Sequence, residues 1–170
     1  HVAMRLVEAL GAIRLRSAAE RNRLLGLQSA TAQGQLDAGT YNSDSTAATY
    51  QRLHQLAAGI LRCGLPVVID ATYLKQAQRE AARSTAEAAA VPLLIVDCHA
   101  PQALIEQWLA KRSEEGSDPS DANMAVVEAQ QASREALTKE ELRCSQTVDT
   151  SDSSSTDSLI ERIKQHLSSQ

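Results

Sequence analysis

The sequence predicts an α/β layered domain with a mostly parallel sheet. Helix-period and strand-type segments alternate along nearly all of the 170 residues. The strand runs are also too apolar for a sheet with one wet face: Leu65-Pro-Val-Val-Ile-Asp70 and Val91-Pro-Leu-Leu-Ile-Val-Asp-Cys98 are almost unbroken and rich in β-branched residues. Such runs mark strands covered on both faces, and alternation with helices supplies the covering layers.

Each element follows in order. Val2, Leu6 and Leu10 recur at helical spacing with Val7 beside them, and Gly11 stops that helix. Neither a capping side chain nor an initiator Met precedes it, so the chain is expected to be a fragment with residues missing upstream of His1. Ala12–Arg16 alternates as a short strand. Ser17 is the expected cap of a helix over Ala18–Leu25, ended by Gly26. Residues 27–42 lack periodicity and read as a loop. A helix over about Asp44–Arg62 puts Tyr50, Leu53, Ala57 and Ile60 on one face. The strand ending at Asp70 precedes an Ala-rich helix over Leu74–Ala90; the strand ending at Cys98 precedes a helix opened by Pro101. Ser113–Ser120 is a polar break. Ser120 or Asp121 caps a further helix to about Glu135. Gln146–Thr150 reads as a strand, Ser151–Ser158 as a solvated Ser/Asp connector, and Leu159–Leu167 as the last amphipathic helix.

Composition narrows the function classes. Seventeen basic against 21 acidic residues disfavour a nucleic-acid surface, which needs a basic face to displace counterions. No apolar run approaches the ~20 residues that cross a membrane. Phe is absent and Trp108 stands with three tyrosines, so no aromatic platform for base stacking exists. Cys63, Cys98 and Cys144 form no CxxC pair and read as reduced thiols, consistent with a cytoplasmic protein.

Parallel sheets bind ligands beyond the carboxyl ends of their strands. Asp70-Ala71-Thr72 lies at such an end. Asp70 there suits magnesium or a substrate proton, or else it caps the next helix. Arg21 and Arg23 fall near the same rim, where arginines suit phosphate or carboxylate. A solvated helix face would place them equally well. Arg79 either reaches back over the crevice or pairs on the surface with Glu80. Lys111, Arg112 and Arg134 are the cations of a helical hairpin over about residues 102–135.

Taken together, Leu6–Ser17, Glu20-Arg21-x-Arg23-Leu24-x-Gly26-Leu27, Val67–Thr72, Gln78-Arg79, Ile95–Pro101, Glu128–Glu135 and Thr147–Thr150 resemble a zeta-toxin-like P-loop kinase. This is an AAA-type ATP-binding domain often fused behind an aminoglycoside-phosphotransferase-like domain. The resemblance implies a three-layer α/β/α sandwich of the adenylate-kinase-like P-loop nucleoside triphosphate hydrolase type, forming a single domain over residues 1–170 with a lid at about 102–135. It further implies ATP and Mg2+, a small-molecule phosphate acceptor, Asp70 as strand-end acid and magnesium ligand, and Arg112 and Arg134 as lid arginines. Arg21, Arg79 and Thr72 are then acceptor-binding.

Two departures stand out. No GxxxxGK[ST] occurs, so the first strand and phosphate loop are expected to be missing. That strand would lie between the strands at 66–70 and 93–98, so the fragment is expected to fold poorly or to dimerise. Ala18 also stands where the family usually has Asp, and a catalytically degenerate nucleotide-binding domain is the alternative reading.

Overall fold

The computed structural model describes residues 2–26, 43–115 and 124–168. Helix α1 (Val2–Leu10) leads to β1 (Ile13–Arg16), α2 (Ser17–Leu24) and α3 (Ser43–Arg62). Strand β2 (Val67–Asp70), α4 (Gln76–Ala88) and β3 (Ile95–His99) follow, then α5 (Gln102–Glu115) and α6 (Met124–Ser133). The described chain ends with α7 (Lys139–Arg143), β4 (Ser145–Asp149) and α8 (Ser153–Ser168). Gly11 at φ +61° ends α1 in the left-handed region that a side chain resists.

Both strand pairs are parallel. β1 pairs with β2, placing Arg16 opposite Asp70, and β3 pairs with β4, placing His99 opposite Asp149. Among the described residues β2 and β3 share no ladder.

Side-chain alternation distributes the strands between two layers. Leu15 joins Tyr50, Leu53 and Ala57 in a core under α3, with Val67 and Ile69 against it. Val68 and Val96 instead pack on a second core of Val2, Leu6, Val148, Leu159 and Ile160, between α1, β4 and α8. Helices thus cover both faces, giving the α/β/α layering. β2 and β3 meet through this second core rather than through backbone bonds.

Several boundaries are corrected. Arg16, not Ser17, is the N-cap residue of α2, and no side chain caps that helix. Helix α4 begins at Gln76 because Leu74 and Lys75 are still extended or turning, and the Gln78 amide oxygen accepts the Lys75 N–H at 3.1 Å. Strand β3 starts at Ile95, where its N–H first bonds the partner strand's side at the Cys144 carbonyl (2.8 Å). Helix α7 was not anticipated. Thr138 caps it, and Glu141 returns its carboxylate to the Thr138 N–H at 2.7 Å. The expected Ser151–Ser158 connector is largely helical, because Asp152 accepts from the Ser154 N–H (2.9 Å) and starts α8 at Ser153. The 27–42 loop, the 116–120 part of the polar break and the cap at Ser120 or Asp121 lie outside the described residues.

Candidate functional site at the strand ends

The C-terminal end of β2 carries an ion cluster. Arg14 and Arg16, two apart on β1, share a strand face, and parallel register aligns that face with Asp70. Arg14 donates from Nε to Asp70 Oδ2 at 3.1 Å and also through Nη2, while Arg16 Nε lies 4.0 Å from the same oxygen. Asp70 remains about one-third exposed. It caps no helix, which sets aside that reading. Sequence reasoning passed over Arg14 and Arg16. Their signal was the alternation Ile13-Arg14-Leu15-Arg16, which puts both cations on the face opposite Leu15.

Arg79 requires a correction. It neither reaches over the crevice nor pairs with Glu80; it is buried, and its guanidinium faces protein throughout. Nε and Nη2 donate to the Glu141 carboxylate at 2.7 and 3.2 Å. Nη1 donates to the carbonyls of Tyr73 and Leu74 (3.0 and 3.3 Å), and Nη2 to that of Ala136 (3.1 Å). With its donors directed to these acceptors, Arg79 anchors the post-β2 turn to α7 and contacts no substrate space. The hydrogen bonds from Arg79 hold the Glu141 carboxyl below its ordinary range, against the opposing effect of burial.

Arg134, just past α6, donates from Nη2 to both Asp97 carboxylate oxygens on β3, at 2.8 and 2.7 Å. The next residue, Glu135, donates its N–H to the Leu74 carbonyl (2.8 Å), and its carboxylate accepts the Gln76 N–H (2.7 Å). One short segment therefore ties the ends of β2 and β3 together. Cys98 lies close enough to feel both strand-end carboxylates. Although part of the residue is open to solvent, local desolvation raises its thiol pKa, and Asp97 and Asp70 raise it further.

Thr72 borders a ring cluster. The Tyr50 and Thr72 hydroxyls are 3.3 Å apart, and the Tyr73 N–H donates to the Tyr50 hydroxyl at 2.9 Å. His54 Nε2 lies 3.1 Å from the Tyr73 hydroxyl. Tyr73 adopts φ +45°, an uncommon conformation for a residue with a side chain. Burial lowers the His54 pKa from 6.5 and raises that of Tyr73. Beside this cluster α3 and α4 enclose an open groove of about 760 Å3.

The remaining expected residues are dispersed. Arg21 is half-buried on α2, and Arg23 pairs with Glu20 of its own helix. Buried Glu20 also lies 3.7 Å from Arg52 Nε of α3. Arg112 belongs to α5, but its side chain lies outside the described residues.

The arrangement was tested against the groups that the resemblance implies. Asp70 offers a hard oxygen suited to magnesium. However, two guanidiniums already hold it, and no cluster of three metal-ligand residues occurs among the described residues. The sequence has no phosphate loop. The described residues alone therefore do not build a magnesium–triphosphate site.

A family model described as an AAA domain matches residues 1–137. No curated protein sequence matches the chain. Among solved structures, a candidate kinase from Chloroflexus aurantiacus J-10-fl superposes with TM-score 0.72 at 16% identity, covering 99% of this chain and 88% of that one. A gluconokinase from Sinorhizobium meliloti 1021 superposes with TM-score 0.64 at 16% identity, covering 98% and 86%. These likenesses establish the α/β fold with parallel strands. No helix among the described residues is long and apolar enough to cross a membrane.

Proposed function

Because this chain belongs to the AAA domain family, we propose that the protein transfers a phosphoryl group from ATP to the hydroxyl of a small molecule. The observation that carries this reading is Asp70: a carboxylate at the C-terminal end of a sheet strand, oriented by Arg14 and still partly open. The crevice beyond such strand ends is where open α/β sheets take their ligands. In the reaction the acceptor oxygen bonds to the terminal phosphorus, the bond from that phosphorus to the ADP oxygen breaks, and the acceptor proton leaves through Asp70. Arg134 supplies a cation at the neighbouring strand end, and Arg112 and Arg21 are further candidates for binding phosphate or acceptor. Magnesium belongs to this reading as the ion that accompanies ATP.

The finer parts of the reading are the zeta-toxin-like subgroup, an aminoglycoside-phosphotransferase-like domain as companion, and a cytoplasmic setting. The two solved neighbours support the kinase class through their fold. The test is Asp70→Asn in the intact protein, reading ADP formation from ATP with a panel of small hydroxyl compounds. The expected loss is ~100-fold or more, the range of a positioned acid or base. Turnover that survives the substitution undiminished would remove Asp70 from the reaction.

A further inference from the structure

The groove between α3 and α4 was not foreseen from the sequence and is lined by none of the residues of the Asp70 ion cluster. It opens where Tyr50 on α3 meets Thr72, so it adjoins the carboxyl end of β2. Two of the three tyrosines in the chain converge there on His54. The Tyr73 backbone is held at positive φ by the N–H donated to the Tyr50 hydroxyl. Conformational strain of this kind persists only where its surroundings enforce it, and it is concentrated at ligand sites.

The chemistry of the walls is selective. Among the described residues, none of the lining side chains is an acid, a lysine or an arginine. Alanines, including Ala77 and Ala81, make part of the wall, and Gln51, Gln55 and Ser84 supply paired donor and acceptor capacity, while the Gln78 amide oxygen is taken by the Lys75 N–H and the Thr85 hydroxyl donates to the Ala81 carbonyl. His54 is uncharged at neutral pH because burial disfavours its cation. A ligand carboxylate, phosphate or ammonium settling here would shed water without meeting a counter-charge, which is unfavourable. A neutral molecule would meet no such penalty. Hydroxyls, which both donate and accept, match amide and hydroxyl walls, while the C–H face of a ring matches alanine.

We infer that the α3–α4 groove is a binding subsite for an uncharged, polyhydroxylated small molecule of the sugar or cyclitol class. The inference rests on the kinase reading only for the fate of the bound molecule, as the acceptor presented at the strand end. Binding is a separate matter and is measured without ATP.

The experiment titrates the protein with methyl α-glucoside and myo-inositol as neutral probes, and with gluconate and glucose 6-phosphate as charged ones. The His54 ring and the glutamine side-chain amides are followed by NMR. The neutral probes should shift these signals saturably and bind at least ~10-fold more tightly than the anions. Ala81→Leu, at an exposed position of α4, should fill the groove and abolish binding without disturbing the fold. Gln51→Ala, also exposed, should weaken it severalfold. The inference is overturned if neither neutral probe binds, if an anion binds as tightly, or if Ala81→Leu leaves neutral binding intact. Saturable binding without phosphoryl transfer would keep the subsite and count against the kinase reading. Transfer to an acceptor that Ala81→Leu does not affect would keep the kinase reading and overturn the subsite.

Discussion

At the end of β2, Asp70 is held by arginines of the adjacent strand. In the middle of β3, Asp97 is held by an arginine that arrives after α6, 37 residues further along the chain. The first pair is internal to a two-stranded ladder, so the register that forms the ladder also forms the pair. The second joins separate elements and exists only while the segment after α6 lies against β3. Similar chemistry on two strands therefore reports different things: local sheet geometry at Asp70, and the docking of the segment after α6 at Asp97. The buried Arg79–Glu141 pair sits between them. It locks the turn after β2 to α7 and to the carbonyl of Ala136.

The largest expected effect comes from breaking that lock. Arg79→Met leaves the Glu141 carboxylate buried without its counter-charge, with side-chain exposures of 4% and 5% in the native pair. Removing one partner of a buried pair costs about 3–5 kcal/mol, read as a loss of denaturation midpoint. The pH dependence adds a signature. The native carboxyl is held below its ordinary 4.5, so its contribution is complete above that value and is lost as pH falls through the lowered one. In the variant the Arg79 bonds are gone, burial raises the carboxyl pKa and only the Thr138 hydrogen bonds still lower it, so the carboxyl binds its proton at higher pH than in the native protein. The deficit should therefore shrink on acidification. A deficit that stays constant from pH 7 down through the carboxylate range below 4.5 would show that Arg79 acts through packing rather than charge.

The second effect asks whether the two strand pairs are one cooperative unit. Leu53 is fully buried under α3 beside β1–β2, and Leu159 is fully buried between α1 and α8 beside β3–β4. Either leucine changed to Ala should cost ~2–5 kcal/mol. Val68 and Val96 pack on the same core although their strands share no ladder, so one transition is expected and either variant should lower the whole of it. Two transitions by calorimetry, each moved by one variant alone, would mean that β1–β2 and β3–β4 unfold independently.

How much of this was legible differs between the regions for physical reasons. The β2 strand, its terminal Asp70 and the α3 face Tyr50, Leu53, Ala57 follow from local periodicity, which the chain carries in consecutive residues. Arg14 was equally visible as an outward position of β1. Its partner was not, because the partner depends on register with a strand some 50 residues away. Arg79 reads from sequence as a crevice residue or a surface partner of Glu80, because helical spacing alone cannot reveal Glu141, 62 residues on. Helix α7, five residues long, has too little length for an apolar repeat, and its only local sign was the capping spacing of Thr138 and Glu141. The Ser/Asp run concealed the start of α8 because composition suggested solvent, whereas Asp152 used the same polar residues to open a helix. The α3–α4 groove had no sequence signal, since its character is the absence of charge on the two facing surfaces of α3 and α4, which tertiary packing brings together.

The smallest expected effect separates the two strand-end pairs most directly. Arg14 and Arg134 are both partly exposed, with side-chain exposures of 22% and 40%, so water and salt screen each pair. Replacing either by Gln should cost no more than ~1 kcal/mol of global stability. The local consequences should differ. Without Arg14 the β1–β2 ladder keeps its backbone bonds, so hydrogen exchange at Leu15 and Ile69 should stay close to the native rate. Without Arg134 the segment after α6 loses its hold on β3, while Lys75, Glu135 and the Arg79 bonds to the Glu135 and Ala136 carbonyls still keep its far end near the turn after β2. Amide exchange across α6 should then accelerate severalfold while the midpoint barely moves. Faster exchange in β1–β2 after Arg14→Gln, with α6 unchanged after Arg134→Gln, would reverse the contrast: the Asp70 pair would be holding the sheet together, and the Asp97 pair would be a surface contact with no part in seating α6.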